Sequence, residues 1–259
     1  MVVLYEHPLS PFAQKVKIAL AEKGIAFESR LPDILGGDLD EFSRLNPRRE
    51  VPTLVDDGVA VFDSTIILEY LEDRWPTPPL LPAGAAERAR VRTLEELCDT
   101  YYEAVNWAVM EVRVFQRATG EQAVSLEARA AGQQAGCNAH LARALGARPW
   151  FNGEQFGWGD LCVVPFVHAA AMTGTPPAPD SPLAAWLERA RARPSVQGVL
   201  EAAAQSMVGF EMLPQLVASG QFRREYRDHR LEWMLRSGGL EIVLAGMQQG
   251  NIRFSHELE

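Results

Sequence analysis

At 259 residues, with 47% hydrophobic and 23% charged, the chain has the composition of an ordinary globular protein and exceeds the usual size of one domain, so two domains with their own cores are expected. A formal net charge of −9 excludes the broad basic surface on which nucleic-acid affinity rests, and the pairs Arg48–Arg49 and Arg223–Arg224 are diluted by Glu50, Glu225 and Asp228. The opening Met1-Val2-Val3-Leu4-Tyr5-Glu6 has no leader pattern, and the longest weakly polar run, 161–172, is too short for a bilayer; Cys98, Cys137 and Cys162 are odd in number and widely spaced. These features predict a cytoplasmic protein with free thiols that does not enter a membrane.

Residues 2–5 read as a short buried strand, and 10–24 as a helix with Pro11 in its first turn and Gly24 as its stop. Phe12, Val16, Ala19 and Leu20 share one face of that helix, with Lys15, Lys17 and Lys23 largely off it. A second strand is predicted over 25–31, so that strand, helix and strand form a parallel pair with a crossover. A polar, acidic stretch over 33–42 reads as an irregular link. The apolar runs 51–55 and 59–62, separated by Asp56-Asp57-Gly58, give a hairpin signal, and 64–74 reads as a helix with Ser64 available as its cap.

Four prolines in the eight residues 75–82 cannot continue a helix, which places a boundary there: domain one over 1–76, a linker over 77–84, and an all-helical domain over 85–259. Helices are predicted over 87–118, 125–145, 158–172 and 183–192, with two or three more between 194 and 246. The scarcity of lysine against arginine reads as genome composition.

The segment His7-Pro8-Leu9-Ser10-Pro11-Phe12-Ala13-Gln14-Lys15-Val16-Lys17-Ile18-Ala19-Leu20 resembles the first strand-to-helix turn of serine-type cytosolic glutathione transferases, especially the tau class and related bacterial enzymes. Leu45-Asn46-Pro47-Arg48-Arg49-Glu50-Val51-Pro52-Thr53-Leu54 is similar to that family's cis-proline stretch, and Phe62-Asp63-Ser64-Thr65-Ile66-Ile67-Leu68-Glu69 to its acidic-Ser motif. Near Trp158 the family usually has Ser or Thr at a helix cap and Asp three residues on; Gly157 stands at the cap here and Asp160 survives. The resemblance implies a thioredoxin-like α/β domain followed by an all-α helical bundle, glutathione as co-substrate, a homodimer, and a hydrophobic electrophile as second reactant.

It also implies a site. Ser10, Phe12, Arg49, Glu50, Val51, Pro52, Asp63 and Ser64 would hold glutathione, with Ser10 catalytic. A free thiol has a pKa of about 8.5, and lowering it by about two needs about 2.7 kcal/mol, which a hydroxyl donor and a helix N-terminus can supply together. Ser10 also reads as a simple cap, Ser64 as another, and Tyr5 as a weaker rival to Ser10 that looks like a strand residue. Val51 would pair its backbone with the cysteinyl part, Ser64 would meet the γ-glutamyl carboxylate, and Asp63 its ammonium. Glu50 departs from the family's usual Gln or Lys, with Arg48 or Arg49 available to compensate.

Tyr102, Asn106, Trp107 and Arg113 are the candidates for the electrophile site, and equally candidates for core or dimer-interface positions. The tail beyond about Gln205, with Phe210, Phe222, Tyr226 and Trp233, covers the site or packs on the bundle. The histidines at 7, 140, 168, 229 and 256 make no ligand pair at helical spacing, so no metal is expected. Ser10 in place of Cys argues against thiol–disulfide exchange. Besides conjugation, dehalogenation and aryl-ether cleavage begin from the same thiolate, and the competing reading is a non-catalytic relative that serves as a protein-binding module.

Overall fold

The computed structural model describes residues 1–32, 39–207, 210–221, 231, 234, 235 and 238–249. Four strands, β1 (Val2–Tyr5), β2 (Phe27–Arg30), β3 (Thr53–Asp56) and β4 (Val59–Phe62), form one sheet in the order β2-β1-β3-β4. β1 runs parallel to β2 and antiparallel to β3, and β3 runs antiparallel to β4. The parallel pair needs a crossover, supplied by α1 (Pro11–Glu22); Asp57 and Gly58, both at positive φ, close the β3–β4 hairpin.

Two differences from the sequence reading concern this domain. The stretch expected to be irregular holds a short helix, α2 (Leu39–Leu45), whose Phe42 packs on Tyr5 with ring centroids 5.4 Å apart; one buried aromatic in a seven-residue helix leaves too little periodicity to read. And α1 is buried on more than one face. It packs on α3 (Ser64–Arg74) beside the sheet and also on the helical domain, so Lys15 is fully buried with Ala13, Val16, Ile18, Ala19 and Leu20.

Residues 75–84 form no helix or strand. They are anchored from domain one: Lys23 Nζ pairs with Glu72 at 2.6 Å and donates to the carbonyls of Trp75 and Pro78, while Glu72 accepts from the Leu80 and Leu81 amides.

Beyond them the described residues form helices: α4 (Ala85–Leu97), a wide turn of π-helix (Cys98–Tyr102), α5 (Glu103–Arg113), α6 (Gly120–Leu145), α7 (Trp158–Met172), α8 (Pro182–Arg191), α9 (Pro194–Ser206), α10 (Leu213–Ala218) and α11 (Leu240–Gln249). The predicted helix over 87–118 is thus divided by the π-turn and stops at Arg113, where the Val114 and Phe115 amides both donate to the Met110 carbonyl. Phe210 lies in a short 3₁₀ turn before α10, whereas Phe222, Tyr226 and Trp233 fall outside the described residues. The larger hydrophobic core among the described residues runs from Leu4 and Leu54 in the sheet through Val91, Tyr102, Phe151 and Trp158 to Trp186, and a smaller cluster joins Val105, Val109 and Ala130. All three cysteines are buried and free, as expected.

The start of α7 shows how the helix is capped without Ser or Thr. Asp160 Oδ2 accepts the Gly157 amide at 3.1 Å, and the missing cap side chain is replaced from a distance: Asn152 Oδ1 accepts the Gly159 amide at 2.9 Å. The Asn152 amide fills the space a cap side chain would take, since a Cβ on Gly157 would stand 2.0 Å from Asn152 Nδ2 and 2.5 Å from the Leu80 carbonyl oxygen. Gly157→Ser, which restores the family's usual cap residue, is therefore expected to lower stability by about 2 kcal/mol, read as a fall in thermal midpoint; adding Asn152→Ala should recover part of the loss.

Candidate active site

Sheet register brings three separate pieces of chain to one end of domain one. Tyr5 stands opposite Thr53, and Thr53 opposite Phe62. The turn after Tyr5, the loop before Thr53 and the residues after Phe62 therefore emerge side by side: 6–10 leading into α1, 46–52, and 63–64 at the start of α3. These are the three segments carrying Ser10, Val51-Pro52 and Asp63-Ser64.

Ser10 caps α1. Its Oγ accepts from the Ala13 amide at 3.3 Å, Pro11 occupies the first helical position, and the Ser10 amide donates to the His7 carbonyl at 2.9 Å. Accepting with a lone pair leaves the hydroxyl hydrogen available, so capping and donation to an anion are compatible in one side chain. The turn before it is held by its own bonds: His7 Nδ1 accepts the Leu9 amide at 3.2 Å, and the Gln14 side chain donates to the Pro8 carbonyl at 2.8 Å. Burial lowers the His7 pKa, against a smaller opposing effect of Glu6.

The Val51–Pro52 bond is cis. The loop before it is organised by Asn46, a buried residue that sequence reading passed over. Its Nδ2 donates to the Glu50 carbonyl at 2.8 Å and to Thr53 Oγ1 at 3.0 Å, and its Oδ1 accepts the Arg48 amide at 2.9 Å. An Asn four before Glu50 and seven before Thr53 was the available signal, since Asn side chains commonly satisfy loop backbone. Arg48 pairs with Glu50 at 2.8 Å, which offsets the acidic charge at the position that departs from the family pattern. Arg49 sits at φ 54 on the surface.

At α3 the cap is Asp63 and not Ser64, a correction to the sequence reading. Asp63 Oδ1 accepts the amides of Thr65 at 3.0 Å and Ile66 at 3.3 Å, from a backbone at φ 75, while Ser64 is the first helical residue and is buried. Asp is as good a cap as Ser, and the acidic-Ser dipeptide does not say which of the two takes the role.

Directly beneath lies a buried ionic cluster absent from the sequence-based site. Lys15 Nζ pairs with Glu95 at 2.9 Å and with Asp99 at 2.5 Å. Burial disfavours its ammonium, but the Asp99 and Glu95 carboxylates hold the Lys15 pKa above its ordinary value. Asp99 is pushed up to about 6, by burial first, with Lys15 pulling the other way and the nearby carboxylates of Glu95 and Asp63 adding to the rise. Among the described residues Asp99 Oδ1 is buried without a hydrogen-bond partner.

A carboxyl raised from 3.8 to about 6 on folding binds its proton more tightly in the native state, so its contribution to stability is full below pH of about 4 and is lost as pH rises through about 6. Asp99→Asn is expected to remove about 2 kcal/mol of that pH dependence, checked by denaturant midpoints measured across pH 4–7 for both proteins.

The electrophile candidates separate. Tyr102 is fully buried with its hydroxyl donating to Asn138 at 2.7 Å, and Asn106 joins the Phe166 carbonyl at 3.1 Å to Gln134 at 2.8 Å. Arg113 bonds Glu127 at 2.7 Å and the Thr173 carbonyl. These three tie the π-turn and α5 to α6, to α7 and to the turn that follows α7, the core alternative that the sequence left open. Trp107 borders a cleft, a volume of about 550 Å³ between α5 and α6 lined also by Tyr101, Val112, Leu126 and Ala130. Phe12 packs edge-on against Phe166 at 6.1 Å, beside the junction of the two domains. Among the described residues no helix is long and apolar enough to cross a membrane, and no group of three His, Cys, Asp or Glu is placed to hold a metal ion.

A four-stranded β-α-β, β-β-α domain whose cis-proline loop faces two helix N-termini, joined to a helical bundle, defines a thioredoxin-like architecture with an all-helical second domain. Residues 4–79 match the family model described as the glutathione S-transferase N-terminal domain, and 125–189 the model described as its C-terminal domain. A stringent starvation protein A homolog of Haemophilus influenzae is 31% identical over 221 residues, 80% of this chain and 94% of that protein. A probable glutathione S-transferase of rice is 36% identical over 173 residues, 64% of this chain and 72% of that protein. The crystal structure of rice glutathione transferase GST1 in complex with glutathione superimposes with a TM-score of 0.70 at 31% identity, covering 83% of this chain and 98% of that one. The chain belongs to the glutathione S-transferase family.

Proposed function

We propose that this protein is a glutathione transferase that holds the glutathione sulfur as a thiolate, between the Ser10 hydroxyl and the N-terminus of α1, for attack on a hydrophobic electrophile. The observation that carries the reading is the register Tyr5–Thr53–Phe62, which sets Ser10, Val51-Pro52 and Asp63-Ser64 at one end of the sheet. The rice protein of known structure was solved with glutathione, and its likeness to this chain extends over nearly its whole length.

In this reading Ser10 donates to sulfur while its lone pair keeps the cap, and the α1 dipole adds positive potential. Val51 presents its backbone to the cysteinyl part, with Phe12 and Pro52 as apolar walls. Ser64 and the first amides of α3 take the γ-glutamyl carboxylate, and Asp63 takes the ammonium with the oxygen not engaged in capping. Arg49 supplies the glycyl carboxylate with a cation, since Glu50 is paired with Arg48. The thiolate attacks an electrophilic carbon, the leaving group departs, and holding both reactants in one cleft supplies the entropic advantage. Conjugation, dehalogenation and aryl-ether cleavage all fit this step. The working form is a cytosolic homodimer, for which the exposed Val59 and Ile66 of domain one and Val124 and Leu126 of α6 are available apolar surface.

The second reading, a family member that serves as a protein-binding module without catalysis, is favoured by Glu50 and by the likeness to stringent starvation protein A homologs. Titration calorimetry with glutathione, with conjugation of a chloro-nitrobenzene monitored alongside, decides between them. Binding with turnover supports the transferase. Neither binding nor turnover supports the module.

A further inference from the structure

Glu95 is a single carboxylate that joins three helices of both domains. Its Oε1 accepts from Lys15 Nζ of α1 at 2.9 Å and from Thr65 Oγ1 of α3 at 2.8 Å, and its Oε2 accepts from Trp158 Nε1 of α7 at 2.6 Å. The carboxylate is almost wholly buried, with a relative exposure of 2%. A charge removed from water at such a position is strongly destabilising unless fully paired, so its presence calls for a reason beyond packing, which an apolar side chain would serve as well.

The places where the bonds land supply that reason. Lys15 lies in the second turn of α1, whose N-cap is Ser10; Thr65 lies in the first turn of α3, and its own amide is held by Asp63. We infer that Glu95 is a positioning residue of the helical domain, which through Lys15 and Thr65 fixes the separation between the two helix N-termini that hold the central sulfur and the γ-glutamyl end of glutathione. The inference rests on the glutathione reading above and deepens it: domain one carries the ligand contacts, and the helical domain sets their spacing. Asp99, four residues after Glu95 and so on the same helix face, also pairs with Lys15, so that Lys15 is gripped at two points.

Thr65→Val removes one bond of the hub at constant volume and leaves Lys15, Trp158 and the Asp63 cap in place. The reaction velocity is measured with glutathione and with cysteinylglycine, which lacks the γ-glutamyl group that α3 would hold. Thr65→Val is expected to raise KM for glutathione about tenfold, to leave KM for cysteinylglycine unchanged, and to keep kcat within about twofold; Thr65→Ser, which restores the hydroxyl, should return KM to the wild-type value. Wild-type KM for glutathione in Thr65→Val overturns the inference while the transferase reading stands. Equal losses for both thiols, with a lowered thermal midpoint, also overturn it, because the bond would then serve stability alone. A wild-type protein that binds no glutathione removes both the reading and the inference built on it.

Discussion

Ser10→Ala is expected to lower kcat/KM for glutathione conjugation about a hundredfold, with stability falling by only about 1 kcal/mol. The first figure is the loss of one hydrogen bond to a developing or full anion at a desolvated helix end, and the second is the ordinary cost of removing an N-cap. Both consequences come from one side chain, because Ser10 Oγ accepts from Ala13 and retains its hydrogen. Ser10→Asp separates them. A carboxylate caps at least as well as a hydroxyl and has no hydrogen to give, so that variant should keep the wild-type thermal midpoint and still lose activity, through repulsion of the thiolate. Full activity in Ser10→Ala, with only the midpoint lowered, would reduce Ser10 to a cap.

The second large effect concerns folding. Asp160 is fully buried and accepts four hydrogen bonds: from the amides of Phe151 at 2.8 Å, Asn152 at 3.3 Å and Gly157 at 3.1 Å, and from the Trp186 indole at 2.7 Å. Burial raises its pKa to about 6 even though all four donors pull it down. Asp160→Ala leaves four N–H groups, three of them buried, unpaired around a cavity and is expected to cost about 4 kcal/mol. For a chain of this size that is a fall of roughly 10 °C in thermal midpoint, measurable by calorimetry. Asp160→Asn should recover little, because its amide directs a donor at a site made wholly of donors. A midpoint within about 2 °C of wild type in Asp160→Ala would show that the α7 start is held by packing alone.

The architecture was legible because its signals were local. Short apolar runs bounded by turn residues mark β1, β3 and β4, four prolines mark the crossing, and the start of α7 at Trp158 follows directly from its apolar run. The three motif segments are local in the same way, since each lies in one short piece of chain next to one strand of the sheet.

The hub was not legible, because it is built from residues 15, 65, 95, 99 and 158, whose proximity is decided by packing of the two domains. One trace of it was present and was read as composition. In a chain that otherwise uses arginine, Lys15, Lys17 and Lys23 all lie in α1 or at its end. All three are largely removed from solvent and paired: Lys15 with Glu95 and Asp99, Lys17 with Glu6, Lys23 with Glu72. A compact ammonium fits a narrow buried slot that a planar guanidinium would not fill well, so the lysines record interior positions. Tyr102 and Asn106 show the opposite limit. Polar and aromatic side chains on a long helix look the same in sequence whether they line a cleft or bond to Asn138 and Gln134, and only the partner helix distinguishes the two.

The claim on which the function depends is that the bound sulfur is ionised near neutral pH, and the ultraviolet absorbance of the glutathione thiolate in complex with the protein measures it directly. Half-ionisation at pH of about 6.5, roughly two below the free thiol, is the predicted result. A bound thiol that titrates at about 8.5, as it does in water, would contradict the account while leaving the fold untouched.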